Sequence, residues 1–369
     1  MCSFVFRMQA VQLPERYAYK MKQLNITEHE AGQRLDRLLA KVFSQAGKGF
    51  LYKMLRKKNI VLNGKRAEGN ETLKDGDIIT VYFSDETYEK LSAVQRQSVS
   101  MSAEHKTLYR NKEGEEGSQK RAIEKRGRKL FPKVVYEDKH VLILHKPAGM
   151  LSQKAEESDD SLVDFVQEYL LETGSITAER LQTFRPGICN RLDRNTEGLV
   201  IAGKTILGLQ TMSELLRDRT LDKYYLCVVK GTVERSMRLK GYLTKDEMKN
   251  QVTISKGPEG EAIETEYRPI AVTKTGTLLE VKLITGKSHQ IRAHLASVGH
   301  PIAGDMKYGD AEYNRMMKER FGVRHQMLIA YRMVFPELAK EFAGLSGKEV
   351  KTGLPAVFGH FCKTYDIKV

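Results

Sequence analysis

Apolar positions near the start of the chain form two helical stripes and then short strands. In GQRLDRLLAKVF, Leu35, Leu38, Leu39 and Val42 take the i, i+3, i+4, i+7 positions of an amphipathic helix. After the Gly47/Gly49 break, FLYKMLRKKN predicts a second helix that buries Leu51, Met54 and Leu55 and exposes Lys53, Arg56, Lys57 and Lys58. IVLNGKRA reads as a strand entering an Asn63-Gly64 turn, and LKDGDIITVYF as a further strand after a glycine turn. These elements predict a small basic domain over residues 28–85, preceded by a leader, 1–27, without targeting content. Met8 and Met21 are candidates for an alternative start. Periodicity is lost over 86–131, where EGEEGSQKRAIEKRGRK favours solvation and predicts a flexible linker. Beyond it, KVVYED, VLILHKP, GLVIAGK, KYYLCVVKG, TEYRPI and TLLEVKLITG are short β-type runs separated by turns, with helices at LVDFVQEYLLE and GLQTMSELLRD. The expected fold class is α+β, with a second domain over 132–369 built on a mixed, mainly antiparallel sheet with flanking helices. The segment from Glu337 to Val369 carries no decisive pattern.

Charge adds a partner class. The 369-residue chain has 61 Lys+Arg against 47 Asp+Glu, a net charge of +14, which points to an anionic partner such as nucleic acid or lipid. No apolar run approaches the roughly 20 residues of a membrane span, and no basic amphipathic helix has large aromatic anchors. Cys2, Cys189, Cys227 and Cys362 are widely spaced without a CxxC pair, which argues against a zinc knuckle or a disulfide framework and for a reducing cytoplasm. His289, His294 and His300 are five and six residues apart, a spacing that does not place two ligands on one helical face, so no metal is expected.

Four segments place charged and polar residues at turns within apolar surroundings: YEDKHVLILHKPAGMLSQ, RPGICNRLDRNTEGLVIAGK, KYYLCVVKG and LITGKSHQIRAHLASVGHPIAGDMKYG. In the second, Asp193 stands between Arg191 and Arg194 on a polar stretch feeding the LVIA run, a common catalytic placement. On spacing alone a structural ion pair is the competing reading. Cys189 has no base beside it in the sequence and reads as a buried structural thiol.

RLDRNTEGLVIAGK resembles the signature of the RluA-type pseudouridine synthases, and the other three segments resemble, in order, the family's Lys-Pro-x-Gly, tyrosine and arginine-bearing motifs. Residues 28–85 resemble the small RNA-binding module first named from a small-subunit ribosomal protein. The resemblance implies that Asp193 is the essential aspartate, Tyr225 the active-site tyrosine and Arg292 the arginine that pairs with the aspartate. Physical chemistry agrees with those roles. A guanidinium favours an ionised neighbour by charge and bidentate hydrogen bonding, and a flat tyrosine ring can support a uracil extracted from its stack. The implied reaction detaches uracil at N1, rotates it and rejoins it through C5, which needs no cofactor; the sequence also lacks phosphate-loop motifs. Departures from the family pattern are Asn190 before RLD, Glu197 before the motif's glycine, and GKSHQIR in place of GRTHQIR.

The expected partner is structured RNA, in particular large-subunit ribosomal RNA, with the chain acting as a monomer. Its expected contacts are Lys53, Arg56, Lys57, Lys58, Lys65 and Arg66 on the small domain and Lys146, Arg191, Arg194, His289 and Gln290 on the large one. The alternative is a non-catalytic RNA-binding ribosome-assembly factor that keeps the fold, with Asn190 and Glu197 as marks of decay. The intact Asp193, Tyr225 and Arg292 weigh against it.

Overall fold

In the computed structural model, residues 21–92, 130–246, 251–255 and 257–368 are described. The chain divides into two compact units, residues 1–112 and 113–369.

The first unit follows the apolar stripes. Helix α1 (Leu35–Val42) buries Leu35, Leu38, Leu39 and Val42, and α2 (Lys48–Arg56) buries Leu51, Met54 and Leu55. They pack against an antiparallel sheet of order β1-β4-β2-β3: β1 (Met21–Asn25), β2 (Ile60–Leu62), β3 (Lys65–Arg66) and β4 (Ile78–Tyr82). Leu62 pairs with Lys65 across a two-residue loop in which Asn63 and Gly64 have φ of 50° and 71°. That is the backbone an Asn-Gly hairpin turn requires. Two boundaries differ from expectation. Residues 21–25 of the expected leader form edge strand β1 on β4, with Ile26 buried beyond it. Residues 85–92, at the start of the expected linker, form helix α3 (Asp85–Ser92), whose Tyr88 packs edge-on against Phe43 at 5.3 Å. Both elements expose most of their length, so their periodicity is weak. The remainder of that leader, 1–20, and of that linker, 93–129, lies outside the described residues.

The second unit is built on a mixed sheet of eleven strands among the described residues. Its central path is β9 (Asp222–Val229), β14 (Leu328–Val334), β8 (Glu197–Gly203) and β6 (Val141–Lys146). Beyond β6 lies β5 (Lys133–Glu137); β7 (Gly187–Ile188) pairs with β8 and β15 (Glu349–Lys351) with β14. Beyond β9 follow β13 (Gly276–Leu283), β12 (Glu261–Thr273), β10 (Met237–Asp246) and β11 (Gln251–Ser255). Alternation along β6 sends Leu142 and Leu144 into one core and Val141 and Ile143 into another, so the sheet is covered on both faces. Helices α4 (Leu162–Glu172) and α6 (Gln290–Ser297) contribute to the first core, α5 (Ile206–Arg217) to both, and α7 (Ala311–Phe321) and α8 (Ala356–Thr364) to a third. The undecided C-terminal segment is thus structural: Phe358 and Phe361 of α8 are buried.

One pairing in the sheet positions the site. Among the described residues β14 and β8 form the parallel contact, with Ala330 opposite Gly198. Gly198 has φ of 115°, and a methyl group there would lie 2.2 Å from the Ala330 carbonyl oxygen. Only glycine admits this approach. The 190–196 loop therefore enters β8 at the middle of the sheet.

The loop is then held from beneath by Lys146, at the end of β6. Its ammonium donates to the carbonyls of Pro147 (3.2 Å), Met150 (2.8 Å) and Arg194 (3.1 Å), and the side chain is fully buried. The expected RNA contact at Lys146 is corrected: its donors are turned inward onto backbone and reach no solvent. Ser152 completes the clamp, its hydroxyl accepting from Leu192 N–H at 3.0 Å and donating to Leu192 C=O at 2.7 Å. Replacing Lys146 with methionine keeps the length and removes the donors. The K146M protein should lose about 2–4 kcal/mol, because buried carbonyls are left without partners. In urea unfolding the midpoint should fall at constant slope, and a change under about 0.5 kcal/mol would show that the clamp does not depend on the ammonium.

Candidate active site

A cleft of about 950 Å³ opens beside the 190–196 loop, lined among others by Asp193, Tyr225, His289 and Arg292. Asp193 sits at a tight turn closed by Thr196 N–H donating to the Asp193 carbonyl at 3.0 Å, and its side chain is about one quarter exposed. Tyr225 lies on β9 between Val281 of β13 and Ala330 of β14, nearly buried beside the aspartate. Burial, reinforced by the Asp193 charge, pushes its phenol well above the ordinary value. The hydroxyl therefore keeps its proton at neutral pH.

Arg292 projects from α6, a helix whose residues from Gln290 to Leu295 are all buried. Its fork does not close on Asp193 as expected. Nε and Nη2 instead bond the two oxygens of Asp305, at 2.7 and 2.9 Å, and Nη1 alone reaches Asp193 Oδ2, at 2.8 Å. Asp305 has a fully buried side chain and accepts as well from the backbone N–H groups of Lys307 and Tyr308. Burial pushes its carboxyl up, but the Arg292 hydrogen bonds and charge, with those backbone donors, outweigh burial and hold it below the ordinary value. Burial likewise disfavours the Arg292 charge, and the two carboxylates more than reverse it. The order of dependence is thus Asp305, Arg292, Asp193. Sequence reasoning missed Asp305, although the GDMKYG stretch shows one carboxylate alone between glycine and lysine.

His289 caps α6 in a left-handed conformation, φ 55°. Its Nδ1 lies 3.0 Å from the Tyr308 hydroxyl and its Nε2 3.9 Å from Asp193 Oδ2. Burial pushes the ring's proton affinity down, which favours the neutral form in the cleft. Gln290, expected to contact RNA, is corrected. It is buried, its amide donates to the Glu264 carbonyl and Thr265 Oγ1 at 2.9 Å each, and its oxygen accepts from Thr285 Oγ1 and Lys287 N–H. Arg191 and Arg194 are exposed on the cleft wall, with Arg194 Nε donating to the Gly149 carbonyl at 3.2 Å. Lys53, Arg56, Lys57, Lys58, Lys65 and Arg66 are all exposed on the first unit, and none is ion-paired to a carboxylate among the described residues.

The family departures find local explanations. Asn190 Oδ1 accepts from Ile201 N–H at 2.8 Å and its amide donates to the Leu199 carbonyl, so it fastens the loop to β8. Glu197 opens β8 and lies 3.5 Å from His145 Nε2, on the strand rather than in an RNA-facing loop. Burial pushes the Cys189 thiol up to about 11, which leaves it protonated and unreactive.

Comparison with known proteins agrees with the motifs. Residues 140–297 match the family model described as RNA pseudouridylate synthase. Over 325 residues the chain is 29% identical to ribosomal large subunit pseudouridine synthase C of Vibrio cholerae serotype O1, covering 86% of this chain and 90% of that protein. It is 28% identical over 306 residues to the protein of the same name from Escherichia coli strain K12, covering 81% and 83%. The solved structure of human RNA pseudouridylate synthase domain containing 4 shares the fold, with a TM-score of 0.50 and 20% identity over 64% of this chain and 94% of that one. Motifs in order, matched family model and shared fold converge on one likeness: the chain is similar to the RNA pseudouridylate synthases, isomerases that convert uridine to pseudouridine.

Proposed function

We propose that this isomerase acts on specific uridines of large-subunit ribosomal RNA, with Asp193 as the essential residue, Arg292 as its partner and Tyr225 as the support for the uracil. The observation that carries the assignment is the asymmetry of the Asp193 carboxylate. Oδ2 is fixed by Arg292 at 2.8 Å, while Oδ1 has no hydrogen-bond partner among the described residues, and Asp193 lines the cleft. A carboxylate held by one oxygen presents the other in a defined direction, as both attack at the sugar and removal of a ribose proton require. The reaction breaks the bond from uracil N1 to the sugar and forms one from C5. C5 gives up its proton and N1 gains one, so the atoms balance without a co-reactant. A base extracted from its stack needs an apolar face to rest on, and the Tyr225 ring beside Asp193 supplies it. The names of the relatives support ribosomal RNA as the substrate class.

The first unit is the RNA anchor in this reading, resembling the small module named from a ribosomal protein. Its exposed cations would neutralise phosphates and supply affinity with little base discrimination. The chain acts as a monomer in the cytoplasm. No helix among the described residues is long and apolar enough to cross a membrane.

Tritium release from ribosomal RNA labelled at uridine C5 tests the assignment. D193N should lower release at least about 10³-fold while RNA affinity stays within about threefold; full activity in that variant would remove Asp193 from the chemistry. D305N, which loosens Arg292 without touching the carboxylate that reacts, should cost about 10²-fold in turnover. An unchanged rate would show that Arg292 is positioned without it. Alanine at Lys53, Arg56, Lys57 and Lys58 together should weaken RNA binding and flatten log Kd against log salt by about 0.7–0.9 for each phosphate no longer neutralised. A slope equal to that of the unaltered protein would place the electrostatic anchor elsewhere.

A further inference from the structure

The cleft contains a second buried cation whose charge the chemistry above leaves unused. Lys223 lies on β9 two residues before Tyr225, hence on the same face of the strand, and is 7% exposed. The residue lines the cleft, and its ammonium makes no hydrogen bond or ion pair among the described residues. The contrast with Lys146, whose ammonium has three carbonyl acceptors, is direct.

Nearby carboxylates are already committed. Asp222, the neighbour in sequence, accepts from Lys282 Nζ at 2.7 Å and from the Tyr224 hydroxyl at 3.3 Å. Asp193 is bound to Arg292. Gly286 faces Lys223 without a side chain, and a methyl group added there would stand at contact distance, 3.9 Å, from Nζ. A second cation adjoins it. Arg219, exposed on the turn after α5, lines the same cleft and holds φ at 60°, a costly backbone for a residue other than glycine. Burial, and then the Arg219 charge, lower the proton affinity of Lys223, while Asp222 acts in the opposite sense.

A buried ammonium without an acceptor destabilises the fold, and an arrangement that adds a second cation beside it suits an anion arriving from outside. We propose that Lys223, with Arg219 at its rim, forms an anion subsite that takes a phosphodiester of the RNA chain next to the nucleotide lying on Tyr225. The proposal rests on the RNA-isomerase reading, since a polynucleotide brings that anion into the cleft. The subsite fixes the strand beside the extracted base, whereas the first unit's exposed cations contribute affinity at a distance from the chemistry in sequence.

The test compares the full-length protein with K223M, K223R and R219A on a transcript of large-subunit ribosomal RNA, measuring Kd across salt, C5 tritium release and thermal unfolding. K223M should weaken binding about tenfold, flatten the salt slope by about 0.7–0.9, and raise KM more than it lowers kcat. Its Tm should equal or exceed that of the unaltered protein, because methionine removes an unpaired buried charge. K223R should recover the slope, and R219A, altered only at an exposed position, should flatten it in the same direction. An unchanged slope in both K223M and R219A overturns the subsite, and a fall in the Tm of K223M with an unchanged slope makes Lys223 an internal strut. The two readings fail separately. An unaltered protein that binds RNA but releases no tritium overturns the isomerase assignment and leaves the slope comparison to decide the subsite, whereas release with unchanged slopes removes the subsite alone. Absence of RNA binding by the unaltered protein overturns both.

Discussion

The two hydrogen bonds from Arg292 to Asp305 are the constraint on which the rest of the site depends. Both side chains are almost entirely out of water, at 7% and 0% exposure, so each needs the other to remain charged there. Breaking such a pair by removing one partner typically costs about 3–5 kcal/mol, because an uncompensated charge is left behind. With Nε and Nη2 committed to Asp305, the guanidinium plane is fixed and Nη1 points at one oxygen of Asp193. The Asp193 backbone is positioned independently. Gly198 brings β8 against β14, Ser152 holds Leu192, and Lys146 holds the carbonyl of Arg194. Two sets of contacts, one on the side chain and one on the backbone, therefore set where the free oxygen lies.

What the sequence disclosed and what it withheld divide along the same physical line. Strong periodicity was legible: the α1 stripe, the apolar run of β6 buried on both faces and the Asn63-Gly64 turn are local patterns with one structural solution each. Edge strand β1 and helix α3 were not, because elements that bury little leave little periodicity to read. The site shows a parallel division. Asp193, Tyr225 and Arg292 were legible through ordered motifs and share one cleft. Asp305 was not, because its importance lies in a contact 13 residues away from Arg292 in sequence and invisible until the chain turns back at Gly304. Lys146 and Gln290 failed as RNA contacts for the same reason. A polar residue in a turn motif resembles a ligand contact until its hydrogen bonds are traced to backbone carbonyls and side chains of the protein itself.

Three cations of the catalytic unit show how acceptors, rather than residue type, decide what a buried charge does. Lys146 has carbonyls on every side and becomes a structural clamp; Arg292 has two carboxylates and becomes the bridge between them. Lys223 has neither as a hydrogen-bond partner among the described residues, and an anion entering the cleft would add to the support its charge has from Asp222. The exposed lysines and arginines of the first unit behave differently again. Salt largely screens exposed charges separated by more than a Debye length, about 10 Å at 0.1 M, whereas the buried Arg292 hydrogen bonds at 2.7–2.9 Å are screened much less. Binding and chemistry thus use the same kind of charge under two dielectric regimes. A protein arranged this way can let its affinity for a polyanion vary with ionic strength while the geometry around Asp193 stays fixed, because the interactions that set that geometry are inside the fold.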